Sequence, residues 1–424
     1  MLDIKFIREN IGKVKKSIKD RGMKADVDRL LKLDEERRKM LTEVEKLKHI
    51  HNEASDEIAR LKSEKKDIKS KIAEMKTLSQ KIKKFDPKVV EINQKYHVML
   101  LNIPNMPHPS VPIGPDASYN KIIKRWGEQP KFDFNPRSHI ELAEFLNIID
   151  FPASAKIAGS GFSLFAGDGA KMVRALINFM IDLHVTKHGY KEIWPPALVN
   201  RDSMTNTGQL PKLEEDMYRL KDEDLFLIPT AEVPVTNMHK NEILNEEDIP
   251  IYYTAYTPCF RREAGSYGKD TKGLTRVHQF DKVEMVKFVK PEDSWSELES
   301  LLANAEEVIQ LLNIPYRVAI LSTGDLSFAA SKCYDIEIWA AGSKKWLEVS
   351  SCSNFTDFQA HRGNIKYRIR NSKKTEYVHT LNGSGVAFAR LIISILENNQ
   401  RKDGTVIIPE VLRPYMGNQD RFVS

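Results

Sequence analysis

Long apolar runs are missing from this 424-residue chain. No stretch approaches the ~18 consecutive apolar residues that a membrane-spanning helix needs, so a membrane protein of that kind is excluded. Cysteine is scarce: Cys259, Cys333 and Cys352 stand 74 and 19 residues apart, which matches neither a disulfide framework nor the paired spacing of a zinc site. Three ordinary buried thiols and no zinc are expected. The opening MLDIKFIREN carries acidic residues early and has neither the apolar core of a secretory signal nor an Arg/Ser-rich transit composition, so a cytoplasmic protein is expected. No GxxxxGKS or GxxxxGKT occurs, which excludes the P-loop as a route to phosphate. What remains, 41% hydrophobic and 29% charged, is the composition of a folded chain long enough for about two to three domains.

The first hundred residues lack almost everything that breaks a helix. They hold two glycines (Gly12, Gly22), one proline (Pro87) and no tryptophan, against 18 glycines and 19 prolines in the rest. They also hold the whole basic excess: 27 Lys and Arg against 18 Asp and Glu, or +9, while the remaining 324 residues carry −3. From Leu30 the apolar positions step by threes and fours through Leu33, Met40, Val44, Leu47, Ala54, Ile58 and Leu61, broken by Arg37 and His51. A second series runs from Ile68 through Ile72, Met75, Leu78, Ile82, Phe85, Val89, Ile92 and Tyr96 to Met99. Two such seams joined by the polar Lys62 to Asp67 predict one antiparallel coiled-coil hairpin of ~32-residue helices, each about 48 Å long. Asp86-Pro87 reads as an N-cap with proline in the first turn, so the second helix is expected to be interrupted or kinked there. A basic rod of this kind is either a solvated spacer or dimerisation element, or a holder of nucleic-acid phosphates. Its few aromatics favour duplex backbone over stacked bases.

Five prolines within twelve residues of NIPNMPHPSVPIGPDASYN forbid helix and central strand, which divides the chain into an arm (1–101), a linker (102–120) and a body (121–424). The body mixes amphipathic helices with Tyr-, Val- and Phe-rich strands, an α+β pattern. IYYTAYTPCF and VHQFDKVEMVKF read as a strand pair separated by a long Gly- and cation-rich loop of the kind that binds ligands. A period of two puts His278, Phe280, Lys282 and Glu284 on one face, either as core packing with a salt bridge or as an aromatic and a carboxylate facing a polar ligand. YVHTLNGSGVAFARLIISILENNQ reads as a strand that turns at Asn382-Gly-Ser-Gly into a helix apolar nearly all round. Arg390 on that helix must therefore meet a carboxylate or a phosphate. Glu348, in the strand-like KWLEVSSCSNF, is an oxygen ligand suited to Mg²⁺.

These segments together resemble the three signature motifs of the class II aminoacyl-tRNA synthetases, and the chain to about Gly417 resembles the seryl-tRNA synthetases. The resemblance runs through LDEERR, IPNMPHPSVP, NTGQLPKLEEDMY, IPTAEVPVTN, YTPCFRREAG, VHQFDKVE, EVSSCSNFTDFQ, HTLNGSGVAFAR and IPEVLRPYMG. It implies an α+β fold built on a class II antiparallel sheet flanked by helices, preceded by the helical-hairpin arm, with homodimerisation through the catalytic domains. It also implies that the arm grips the long variable arm of tRNA(Ser), with tRNA(Sec) as a further candidate.

By the same resemblance, Thr230, Ala231 and Glu232 hold the serine ammonium group, and Arg261 bridges the serine carboxylate and the ATP α-phosphate. Glu284, Ser384 and Thr380 surround the serine side chain. Arg262, Glu263 and Val277 belong to the ATP site, with Phe280 stacked on adenine. Glu348, Val349, Ser350 and Ser351 form the strand for phosphate and metal, Glu348 and Ser351 holding Mg²⁺, and Arg390 meets the γ-phosphate. Arg261, Glu348 and Arg390 carry catalysis. The implied reaction needs no protein base, because the serine carboxylate is already ionised and attacks the α-phosphate itself. The loop from Ser266 to Arg276, with Lys269 and Lys272, is expected to touch the tRNA acceptor end. A relative that passes an activated small amino acid to a carrier, or a non-enzymatic tRNA-binding scaffold, is the competing expectation; the first would lack the arm and the second would have lost ATP-site residues.

Overall fold

The structure, a computed structural model, describes residues 1–264 and 272–424. The chain forms two compact units, Leu2–Lys19 with Met23–Pro104, and Met1 and Asp20–Gly22 with Asn105–Ser424. The smaller unit is helical: α1 (Ile4–Glu9), α2 (Ile11–Asp20), α3 (Val27–Ser63) and α4 (Lys69–Leu101). Asp26 caps α3 by accepting from the Arg29 N–H. Helices α3 and α4 are the expected hairpin, burying Leu30, Val44, Leu47 and Ala54 from one side and Leu78, Ile92 and Leu100 from the other. Antiparallel register shows in the crossing bonds Arg37 Nε to Asn93 Oδ1 (2.7 Å), His51 Nε2 to Ser79 Oγ (3.1 Å) and Lys71 Nζ to Glu57 (3.0 Å). The two residues that interrupt the apolar seam, Arg37 and His51, thus both bond across to the other helix; Arg37 also lies 4.7 Å from the centre of the Tyr96 ring.

The interruption expected at Pro87 is corrected: α4 is one helix from Lys69 to Leu101 with Pro87 inside it. Pro87 is exposed, so the lost hydrogen bond leaves a carbonyl that water can reach, and the flanking Leu78 and Ile92 stay anchored against α3.

The larger unit is built on an eight-stranded sheet: β1 (Lys121–Trp126), β2 (Lys191–Glu192), β3 (Ile251–Phe260), β4 (Gln279–Val289), β5 (Tyr316–Ile320), β6 (Lys332–Ala340), β7 (Lys345–Asn354) and β8 (His379–Ala387). Their order is β1-β5-β6-β7-β8-β4-β3-β2, and every pairing is antiparallel except that of the edge strand β2 with β3. Helices α5 (Asp168–Thr186), α6 (Ser294–Leu311) and α7 (Phe388–Asn398) supply Leu176, Leu301 and Leu391 to one core with Val283, Ile338, Cys352 and Leu381 of the strands. On β4, Val283 and Met285 join that core, whereas Val286 and Phe288 enter a second cluster with Ala231 and Tyr253. Phe280, Lys282 and Glu284 share the alternate face, where the pattern turns polar.

A second correction concerns Asn382-Gly-Ser-Gly, which is not a turn. It lies within β8, with a bulge between Ser384 and Val386. The glycine serves close packing: a Cβ at Gly383 would come within 2.9 Å of Cys352 Sγ and 3.1 Å of Leu301. From Asn105 onward the proline-rich segment is laid on the body by backbone bonds from Asn105 to Phe328 (3.1 Å), His108 to Ser331 (2.9 Å) and Thr323 to Pro112 (2.9 Å). Among the described residues no helix is long and apolar enough to cross a membrane.

Candidate active site

The polar face of the sheet opens into a pocket of about 600 Å³. At one end lies a buried polar box. Glu284 accepts from Thr230 Oγ1 (3.2 Å) and from Asn382 Nδ2 (2.8 Å) and is ion-paired with Lys282, whose Nζ also donates to Thr230 Oγ1 (2.8 Å). The same Asn382 amide reaches Glu232 Oε2 at 3.2 Å, while Gln359 Nε2 holds Glu232 Oε1 at 2.6 Å and accepts on its own oxygen from Thr380 Oγ1 (2.7 Å). Burial, and then the neighbouring Glu284 carboxylate, push the Glu232 carboxyl up to about 7. A buried carboxyl in that state lowers its energy by meeting a cation.

At the other end the groups suit a nucleotide. The Arg261 guanidinium sits 5.1 Å from the centre of the Phe280 ring, and its Nε donates to Pro229 O at 3.4 Å. Glu263 pairs with Arg276 at 3.2 Å. Arg390 donates to the Glu348 carbonyl (2.7 Å) and to Thr275 O (3.2 Å), with the Glu348 carboxylate 3.5 Å away, so of the two partners open to it, a carboxylate or a phosphate, the carboxylate is present. Behind Ser351, on the neighbouring strand β6, Asp335 stands opposite it in register and Cys333 Sγ lies 3.0 Å from its hydroxyl; burial and the nearby Glu348 hold the Asp335 carboxyl well above the usual carboxylate range. Among the described residues no three His, Cys, Asp or Glu side chains group as a metal cage. Glu348, half exposed on the pocket wall, and the Ser351 hydroxyl instead offer a sparse oxygen set, which fits a Mg²⁺ that keeps most of its waters.

The sequence matches the tRNA synthetase class II core domain (G, H, P, S and T) over residues 215–399 and the seryl-tRNA synthetase N-terminal domain over residues 1–107. It is 56% identical over 420 residues to the serine-tRNA ligase of Thermodesulfovibrio yellowstonii, covering 98% of this chain and 99% of that protein. The chain belongs to the seryl-tRNA synthetase family. The crystal structure of the seryl-tRNA synthetase from Pyrococcus horikoshii complexed with ATP matches with a TM-score of 0.90 at 40% identity, over 100% of this chain and 99% of that one. The cytoplasmic serine-tRNA ligase from Naegleria fowleri in complex with AMP matches at 0.86 and 32%, again over 100% and 99%.

Within this synthetase-type body, Thr230, Glu232, Arg261, Glu263, Val277, Phe280, Glu348, Val349, Ser350, Ser351, Ser384 and Arg390 all border the one pocket. Glu284 lies just behind Lys282, and Thr380 acts at one remove through Gln359. Ala231 packs into the second core cluster, and the exposed Arg262 donates to the Glu215 carbonyl (3.1 Å). Ser266 and Lys269 lie outside the described residues; Lys272 and Arg276 lie inside them. Three contributors were not picked out from sequence: Gln359, Asn382 as a side chain, and Asn105, whose amide holds the carbonyls of Ala329 (2.8 Å) and Phe355 (2.7 Å), both on the pocket wall. The only signal for them was their place inside FTDFQ, HTLNGSG and IPNMP. The three cysteines are free and buried, as expected.

Proposed function

We infer that the chain is a serine-tRNA ligase that joins L-serine to ATP, releasing pyrophosphate, and passes the seryl group to the 3′ end of tRNA(Ser). The observation that carries the reading is the buried box of Thr230, Glu232, Glu284 and Asn382 opening into the same pocket as Arg261, Phe280, Glu348 and Arg390. A small zwitterion with a hydroxyl suits the box: Glu232 takes the ammonium group, and Glu284 with Ser384 reads the hydroxyl. Alanine offers no hydroxyl to either of those buried groups.

Phe280 offers its face to adenine beside Glu263 and Val277, and Arg262 adds charge at the rim. Arg261, anchored at its Nε, turns its free nitrogens toward the serine carboxylate and the α-phosphate, so the attacking oxygen and the phosphorus are held together. Arg390 faces the departing pyrophosphate. Val349 and Ser350 shape the floor of that end. Glu348 and Ser351 would hold Mg²⁺, which when bound supplies positive charge to the phosphate oxygens. The arm (1–101) carries the cation excess for tRNA backbone, the segment 102–120 joins it to the catalytic body (121–424), and the working unit is a homodimer in the cytoplasm. tRNA(Sec) is a second acceptor in this reading.

Serine-dependent ATP/pyrophosphate exchange, with alanine, threonine and cysteine for comparison, followed by charging of a total tRNA pool, tests it. Exchange with serine and charging are expected. Exchange without charging would favour a carrier ligase, and no exchange with any amino acid would sink the reading.

A further inference from the structure

We propose that Lys282 sets the amino-acid specificity of this site by balancing Glu284, so that the pocket accepts a side-chain hydroxyl and rejects a side-chain cation. The inference rests on the serine-activating reading above. Lys282 is 5% exposed yet borders the pocket. Its ammonium has two partners, Thr230 Oγ1 at 2.8 Å and Glu284. Glu284 in turn is fully enclosed, and the Asn382 amide is shared between it and Glu232.

The box therefore holds two carboxylates against one lysine, which leaves room for one further positive charge. The α-ammonium of an amino acid supplies it, and a hydroxyl side chain adds none. Arg261, the other nearby cation, is matched by the substrate carboxylate and the α-phosphate. Replacing Lys282 with methionine, of similar length and no charge, leaves places for two positive charges. L-β-aminoalanine, the analogue of serine with an amine in place of the hydroxyl, brings both, because a facing carboxylate favours the protonated form of its second amine. Serine then leaves Glu284 buried and unbalanced, which is costly.

The test is ATP/pyrophosphate exchange by the full chain with L-serine and with L-β-aminoalanine, comparing wild type, Lys282→Met and Lys282→Arg. In Lys282→Met the ratio of kcat/KM values is expected to move toward the diamino acid by about 100-fold, while Lys282→Arg keeps the preference for serine. A purely structural lysine would lower both activities and leave the ratio alone. A ratio within about threefold of wild type in Lys282→Met, or an equal shift in Lys282→Arg, overturns the proposal. If thermal melting shows that Lys282→Met does not fold, Glu284→Gln reads the same balance from the other side. It leaves one carboxylate, Glu232, against Lys282 and no place for a second positive charge, so discrimination against the diamino acid must rise, and a fall overturns the proposal. A wild-type chain that exchanges with no amino acid sinks the serine reading itself, whereas exchange with serine and an unmoved ratio sinks only the role of Lys282.

Discussion

Glu232 shows how one buried side chain ties folding, binding and pH together. Its carboxyl is raised from 4.5 to about 7, first by burial and then by Glu284. A raised carboxyl favours the protonated fold: its contribution to stability is complete below about pH 4.5 and is lost as pH rises through about 7. In the proposed serine site binding runs the other way, because an ammonium group against Glu232 needs the ionised form, so serine uptake there would expel a proton. The kcat/KM for serine in pyrophosphate exchange should therefore rise about tenfold per pH unit below neutrality and level off above it, since that ratio reports the free enzyme. A flat profile would separate Glu232 from the ammonium. Arg390 was legible in the sequence as a charge on an otherwise apolar helix, and Glu284 and Glu348 as carboxylates in strand-like segments. Gln359 and Asn105 were not, since they act through partners 127 and 224 residues away that only the topology supplies.

At the scale of elements, the strand pair β3/β4 and the α3/α4 hairpin could be read directly, because period two and steps of three and four leave strong patterns. The short α1 and α2 left weaker ones: 6 and 10 residues, with Ile7, Val14 and Ile18 buried. Asn382-Gly-Ser-Gly misled because turn chemistry and close-packing chemistry use the same residue; the crowding by Cys352 and Leu301 at Gly383 is visible only with the sheet assembled. Pro87 misled as a helix break because its local preference is overridden by the helix packed alongside. That override has a cost. The exposed proline sits in the helix interior without an N–H to donate, so Pro87→Ala should stabilise α4 by about 1–3 kcal/mol. Hydrogen exchange localised to residues 83–91 checks this: slower exchange in the variant is expected, and unchanged protection would mean the helix already frays there.

For the whole molecule, the uneven charge separates two activities that a single active site would otherwise link. The first hundred residues carry +9 and the remaining 324 carry −3, so in the sequence the cation excess falls outside the segment that holds the proposed serine and ATP residues. Neutralising RNA phosphates releases counterions, and affinity then falls steeply with the logarithm of salt. The adenylation pocket depends on short, buried contacts such as those of Glu284 with Asn382 and Lys282, which salt screens far less. Raising salt from about 50 to about 200 mM should therefore increase the KM for tRNA by at least about tenfold while serine-dependent pyrophosphate exchange changes by less than about twofold. Steady-state charging and exchange assays on one preparation measure both. Parallel loss of the two activities would mean that the basic rod does not hold tRNA by its phosphates, and would return the arm to the role of a spacer. A steep slope in charging alone would give the arm its job from the charge distribution, with no base-reading residue required.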